Sequence, residues 1–142
     1  MEPKILIPLD DSPTARKTVE AVIEQRNRFP QTLHLLYVIN QEQLAYRMIP
    51  DFQLDMVREN ARKAGMQLLE RYEAQLGEAG YSCELILKTG DPRQTISKIA
   101  NNDGYHLVVV GRHEGGGEIR NVIFGSVANH VLHNVRCPVL LF

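Results

Sequence analysis

Short apolar runs alternate along this chain with longer stretches of helical periodicity. Lys4–Leu9 is a compact apolar run, and Asp10-Asp11-Ser12-Pro13 follows it at once. That ending reads as a helix start, because Asp11 or Ser12 can cap free backbone N–H groups and Pro13 suits the first turn. Ala15, Val19, Val22 and Ile23 then recur at helical spacing until Pro30 stops the pattern. Thr32–Ile39 predicts a second strand, rich in Leu, Tyr and Val. The stretch from Asn40 to Phe52 is irregular, with a turn signal at Pro50-Asp51.

A long helix is expected over Leu54–Glu78, with Met56, Ala64, Leu68, Leu69, Tyr72 and Leu76 on its apolar face and Gly80 as its stop. Ser82–Lys88 is the third strand. Asp91-Pro92 repeats the cap-then-proline signature and opens a short helix through Ile96, Ile99 and Ala100, ended by Asn101-Asn102-Asp103-Gly104. His106–Val110, with three consecutive valines, predicts a central buried strand. A glycine-rich loop leads to a last helix over Gly125–Asn134, and Pro138–Phe142 closes the chain as a strand. The order βαβαβαβαβ implies right-handed crossovers and an open five-stranded parallel sheet with helices on both faces.

Composition narrows this picture. The 142 residues fit one domain, 1–142, and 44% hydrophobic residues suffice for a core. A formal charge of -1, from 16 basic and 17 acidic side chains, gives no long-range attraction to nucleic acid or an anionic membrane. No stretch approaches the roughly 20 apolar residues of a membrane span. Met-Glu-Pro-Lys opens directly into a short apolar run without the features of a signal peptide, so a cytoplasmic protein is expected. Cys83 and Cys137 lack metal-ligand spacing and sit in apolar strand-like segments, where free cysteines pack as small hydrophobes.

Open α/β sheets bind ligands beyond the carboxyl ends of their strands, where the strand order reverses. In a sheet of order 3-2-1-4-5 that point lies between the first and fourth strands. Two loops then converge: Pro8-Leu9-Asp10-Asp11-Ser12 and the glycine-rich loop from Gly111 to Gly117. Glycines let backbone amides approach phosphate oxygens, and the helix start at Gly125-Ser126-Val127 favours an anion. Arg112 is placed to add a charge-assisted contact. Asp10 can accept from an amine or a sugar hydroxyl, or share in capping the first helix. A mobile surface loop is the competing reading of the glycines.

Other chemistries fit poorly. Neither Gly-x-x-x-x-Gly-Lys-Ser/Thr nor a Gly-x-Gly-x-x-Gly after the first strand occurs. The acids Asp10-Asp11 suggest a phosphorelay receiver, but Asp51 and Asp55 do not follow a strand and Arg136-Cys137-Pro138 supplies no partner lysine. His130 and His133 share a helix face without a third ligand. His113 lies in the glycine loop, while His34 and His106 read as structural. No Ser-His-Asp arrangement can be built.

The motifs, taken in order, are more specific. Ile-Leu-Ile-Pro-Leu-Asp-Asp-Ser at the start, Gly90-Asp91-Pro92 with Ile96 and Ala100, and the closing Val-Val-Val-Gly, Gly-Ser-Val-Ala-Asn-His-Val-Leu and Cys-Pro-Val-Leu-Leu resemble the universal stress protein family over essentially the whole chain. The resemblance implies a Rossmann-like, adenine nucleotide alpha hydrolase-like fold of order 3-2-1-4-5. It also implies binding of ATP or AMP, with or without Mg²⁺. Pro8, Leu9, Asp10 and Val38 would line the adenine and ribose side, Gly111 would approach the ribose, and Gly115, Gly125, Ser126 and Val127 would hold phosphates.

Nucleotide-binding members carry Gly-x2-Gly-x9-Gly-Ser/Thr. Here nine residues separate Gly115 from Gly125-Ser126, but three rather than two separate Gly111 from Gly115, and Glu114 stands where the second glycine would fall. The family likeness also implies a homodimer through Val139, Leu140, Leu141 and Phe142, an apolar terminal edge strand being a pairing liability if left bare. A regulatory role implies a protein partner that the sequence does not name. Two alternatives stay open: a dimeric interaction module that binds no nucleotide, and a slow ATPase or autophosphorylating protein, for which no general base or phosphate-neutralising lysine is evident.

Overall fold

The computed structural model describes residues 2–41, 51–112 and 125–142. Strands β1 (Ile5–Pro8), β2 (Thr32–Asn40), β3 (Ser82–Gly90), β4 (Leu107–Val110) and β5 (Val139–Leu141) alternate with helices α1 (Pro13–Glu24), α2 (Asp51–Glu78), α3 (Pro92–Asn102) and α4 (Ser126–Asn134). The five strands form one sheet of order β3-β2-β1-β4-β5, and every neighbouring pair is parallel. The expected alternation, order and orientation are those observed.

Strand periodicity explains the layering. Ile5, Ile7, Leu33, Leu35 and Val109 point to one side, where they pack with Val19 and Val22 of α1 and Leu68, Leu69, Tyr72 and Leu76 of α2. Leu6, Leu36, Val38, Val108 and Val110 point to the other, against Ile96, Ile99 and Ala100 of α3 and Val131 of α4. Successive strand side chains face opposite ways, so two apolar clusters form on the two faces of one sheet. Burying such side chains contributes roughly 1.5–3 kcal/mol each.

Local signals place the helix ends. Ser12, not Asp11, caps α1: its Oγ accepts from the Ala15 N–H at 3.1 Å, while Asp11 lies 3.2 Å from Arg16. Asp91 caps α3, its Oδ1 accepting from the N–H groups of Arg93 and Gln94. At the end of α2, the Tyr81 N–H donates to Leu76 and the Gly80 N–H to Gly77, with Gly80 at φ +97°. That paired closure needs a left-handed residue, and glycine supplies it without a Cβ penalty.

Three details differ from expectation. Helix α2 begins at Asp51, inside the segment read as irregular. Only its C-terminal half lies over the sheet, so Met56 is 65% exposed and Ala64 is exposed too, although both belong to the apolar pattern. Strands β2 and β3 extend to Asn40 and Gly90 because they stay paired from Thr32↔Ser82 to Asn40↔Gly90. Backbone pairing, invisible to side-chain pattern, carries them past Ile39 and Lys88. Both cysteines are free; burial pushes the Cys83 thiol up to about 11 and raises that of Cys137, which suits packing rather than reactivity.

Candidate functional site

Strand β1 pairs with β2 on one side and β4 on the other, so the strand order reverses at β1. At the carboxyl ends of these strands lies a cavity of about 550 Å³. Its walls come from six elements, β1, α1, β2, α3, β4 and α4, because the parallel topology delivers strand ends and the helix starts that follow them to the same edge of the sheet.

Apolar side chains form one part of the wall: Pro8 and Leu9 from the end of β1, Leu36 and Val38 from β2, Ile96 from α3 and Val110 from β4. Leu9 is held in place by its N–H donating to Leu36 O at 2.8 Å. The polar part begins at Asp10, whose carboxylate accepts from the Ser12 N–H at 3.1 Å while its backbone carbonyl accepts from the Tyr72 hydroxyl at 3.0 Å. Burial raises the pKa of Tyr72, with smaller contributions from the surrounding charges, so the hydroxyl remains a donor at neutral pH. Burial likewise raises that of Tyr37, which itself lines the cavity, and Asp10 and Asp11 reinforce the effect.

The first turn of α4 lines the same cavity as Asp10. Its cap is Gly125, which offers no side-chain acceptor, and Gly125, Ser126, Val127 and Ala128 all line the cavity. Helices α1 and α3 have their first N–H groups capped by Ser12 and Asp91, so the unassisted start of α4 is the one that fits an incoming acceptor. An apolar cleft, a carboxylate and an uncapped helix start therefore share one space.

Gly111 has a cause of its own. A Cβ there would collide with Thr18 Oγ1, come within 2.7 Å of Thr14 Cγ2 and lie 3.1 Å from the Thr14 carbonyl oxygen. The close approach of α1 to the end of β4 therefore requires glycine at this position, with or without a ligand.

Of the residues singled out in the sequence, Pro8, Leu9, Asp10, Val38, Gly111, Gly125, Ser126 and Val127 line the cavity. Arg112 is not among the lining residues; its N–H donates to Phe142 O at 2.7 Å, extending the pairing of β4 with the C-terminal strand. Gly115, with His113 and Glu114, lies outside the described residues. Sequence reasoning missed Thr14, Thr18, Tyr37, Pro92 and Ile96. Pro92 and Ile96 were legible as the start and core face of α3, but nothing in their pattern says that α3 leans over this particular cavity.

A parallel open sheet with an apolar-walled cleft at its switch point and a helix start without a side-chain cap beside it defines a Rossmann-like class of α/β proteins. The chain belongs to the universal stress protein family, whose model matches residues 1–142. The universal stress protein YxiE of Bacillus subtilis is 26% identical over 97% of each chain. The structure of MJ0577 from Methanocaldococcus jannaschii superposes with a TM-score of 0.81 at 25% identity, covering 99% of this chain and 95% of the other. A universal stress protein family member from Arabidopsis thaliana, solved with AMP bound, shares the fold with a TM-score of 0.69 at 21% identity, over 99% and 91% of the two chains.

Among the described residues no helix is long and apolar enough to cross a membrane, and no group of three His, Cys, Asp or Glu side chains is placed to hold a metal ion.

Proposed function

We propose that this chain is a cytoplasmic, adenine nucleotide-binding stress-response protein, a single domain that holds ATP or AMP in the cavity at the switch point. The observation that carries the reading is the meeting of apolar cleft and uncapped α4 start in one 550 Å³ cavity. The base packs among Leu9, Val38 and Ile96. The Asp10 carboxylate accepts from the sugar hydroxyls or the base amine, and the backbone N–H groups of Val127 and Ala128 with the Ser126 hydroxyl receive phosphate. The family motif adds Gly115, which lies outside the described residues, and any Mg²⁺ rides on the phosphates. AMP in the Arabidopsis relative supports this choice of ligand.

The same reading includes a homodimer. β5 is one of the two edge strands, its residues are only partly buried, and Phe142 continues its pairing with β4. A second copy pairing along Val139–Phe142 covers an apolar edge. Nucleotide occupancy then alters the surface offered to a regulatory protein partner.

Native mass spectrometry of the purified protein, with denaturing analysis of any released nucleotide, tests this directly. A stoichiometric adenine nucleotide, retained or taken up from added Mg-ATP, is the expected result. An empty protein that ignores both ATP and AMP overturns it in favour of the nucleotide-free interaction module, the reading favoured by Glu114 and the three-residue spacing of Gly111 and Gly115.

A further inference from the structure

A second, smaller cavity of about 290 Å³ adjoins the first and is lined by Asn40, Asp91, Pro92, Arg93, Ser126 and Val127. Pro92, Ser126 and Val127 belong to both walls, so the start of α4 separates the two spaces and faces each of them. The first cavity is mainly apolar; the second is walled by an amide, a carboxylate, a guanidinium and a hydroxyl.

Arg93 is the unexpected member. It lies in the first turn of α3, where the positive end of the helix disfavours a cation. Its local compensation is slight: Nε is 3.7 Å from Asp91 Oδ1, beyond hydrogen-bonding range, and that same oxygen already accepts from two backbone N–H groups. The guanidinium is about half exposed. Two sources of positive potential therefore meet at this cavity, the uncapped start of α4 and Arg93, while the Asp91 carboxylate in the same wall is engaged in capping α3. A residue that breaks a local rule without full local compensation marks a site of function more often than one that obeys it.

We propose that the second cavity is an anion subsite for a phosphate of the bound nucleotide, with Arg93 as the side chain that sets the preference for phosphorylated over unphosphorylated adenosine. This rests on the nucleotide reading given above. A phosphate received at Ser126–Val127 stands at the shared wall, where Arg93 donates to it. Arg93 swings from Asp91 toward the phosphate, and Asp91 stays behind as the cap of α3.

The test is calorimetric titration of the full chain with adenosine, AMP and ATP, for the parent, Arg93→Gln and Arg93→Lys, with thermal melts to establish folding. The parent is expected to bind AMP more tightly than adenosine. Arg93→Gln loses roughly tenfold or more of its affinity for AMP and ATP and keeps its adenosine affinity within about twofold, and Arg93→Lys recovers part of the loss. An unchanged ratio of AMP to adenosine affinity in a folded Arg93→Gln overturns the subsite. So does an equal loss for both ligands, which marks a structural role. A parent that binds neither adenosine nor AMP overturns the nucleotide reading itself, and the subsite with it.

Discussion

Gly111→Ala separates two explanations for a glycine that lines a ligand cavity. If packing of α1 requires it, the added methyl collides with Thr18 Oγ1 and sits 2.7 Å from Thr14 Cγ2. Thr18 is buried, and its hydroxyl donates to the Thr14 carbonyl at 2.8 Å, so it cannot retreat without losing that bond. Overpacking of this kind costs about 1–3 kcal/mol. Gly111 is not among the positive-φ glycines, so alanine also recovers about 0.4–1 kcal/mol by restricting the unfolded chain. Taking the middle of each range, about 2 kcal/mol lost and about 0.7 kcal/mol recovered, the net loss is about 1.3 kcal/mol, or a fall of roughly 4 °C in Tm for a chain of 142 residues.

Thermal unfolding of the ligand-free protein measures it. In a Thr14→Ser/Thr18→Ala background, which removes both colliding groups, the same change should cost at least about 1 kcal/mol less. Gly77 serves as the control: it lies in α2 with nothing within 4 Å of an added methyl, so Gly77→Ala should stabilise by about 0.4–1 kcal/mol. A Gly111→Ala protein that melts within about 1 °C of its parent, or loses equally in both backgrounds, refutes the packing argument.

Three further outcomes follow from the same structure. His34 is buried in β2, with Nδ1 3.1 Å from the Tyr105 hydroxyl and 3.4 Å from Glu84, and Lys4 Nζ lies 4.4 Å from the Tyr105 ring centroid. Burial holds its pKa below the ordinary value, Glu84 opposing and Lys4 assisting. The unfolded chain therefore takes up this proton more readily, so the contribution is intact above about pH 6.5 and is lost as pH falls toward the folded-state pKa. Urea midpoints at pH 7.5 and pH 5 should differ less for His34→Gln than for the parent, and parallel falls would exclude His34 as the source. Tyr72→Phe leaves the Asp10 carbonyl without its donor and should lower stability by about 1 kcal/mol in urea; no change would mean that α2 does not brace the Asp10 loop. Ser97 Oγ is buried with no hydrogen-bond partner among the described residues, so Ser97→Ala should raise stability by about 1 kcal/mol, and a loss would show that the hydroxyl is satisfied in solution.

The amino-acid sequence by itself determined the order and type of the elements. Short continuous apolar runs and cap-proline pairs are local signals, and Ser12-Pro13 and Asp91-Pro92 act within one helical turn. Gly80 is equally local, because its left-handed backbone closes α2 wherever that helix packs. The loops at Asp10 and Gly125 were legible for the same reason: topology sends the ends of parallel strands to one edge, and topology follows from the alternation.

What needed the tertiary structure were the relations between elements. Nothing near Gly111 announces Thr14 and Thr18, nearly a hundred residues earlier, as its steric limit. The apolar pattern of α2 cannot say that the sheet ends beneath its C-terminal half, leaving Met56 in solvent. Arg112 sits beside the site in sequence, yet the pairing of β4 with the last strand engages its backbone. Arg93 is remote in sequence from both site loops, but α3 carries it to the start of α4. Local interactions are written within a few residues, whereas the shape and charge of a cavity are sums over chain segments that meet only when the sheet has assembled.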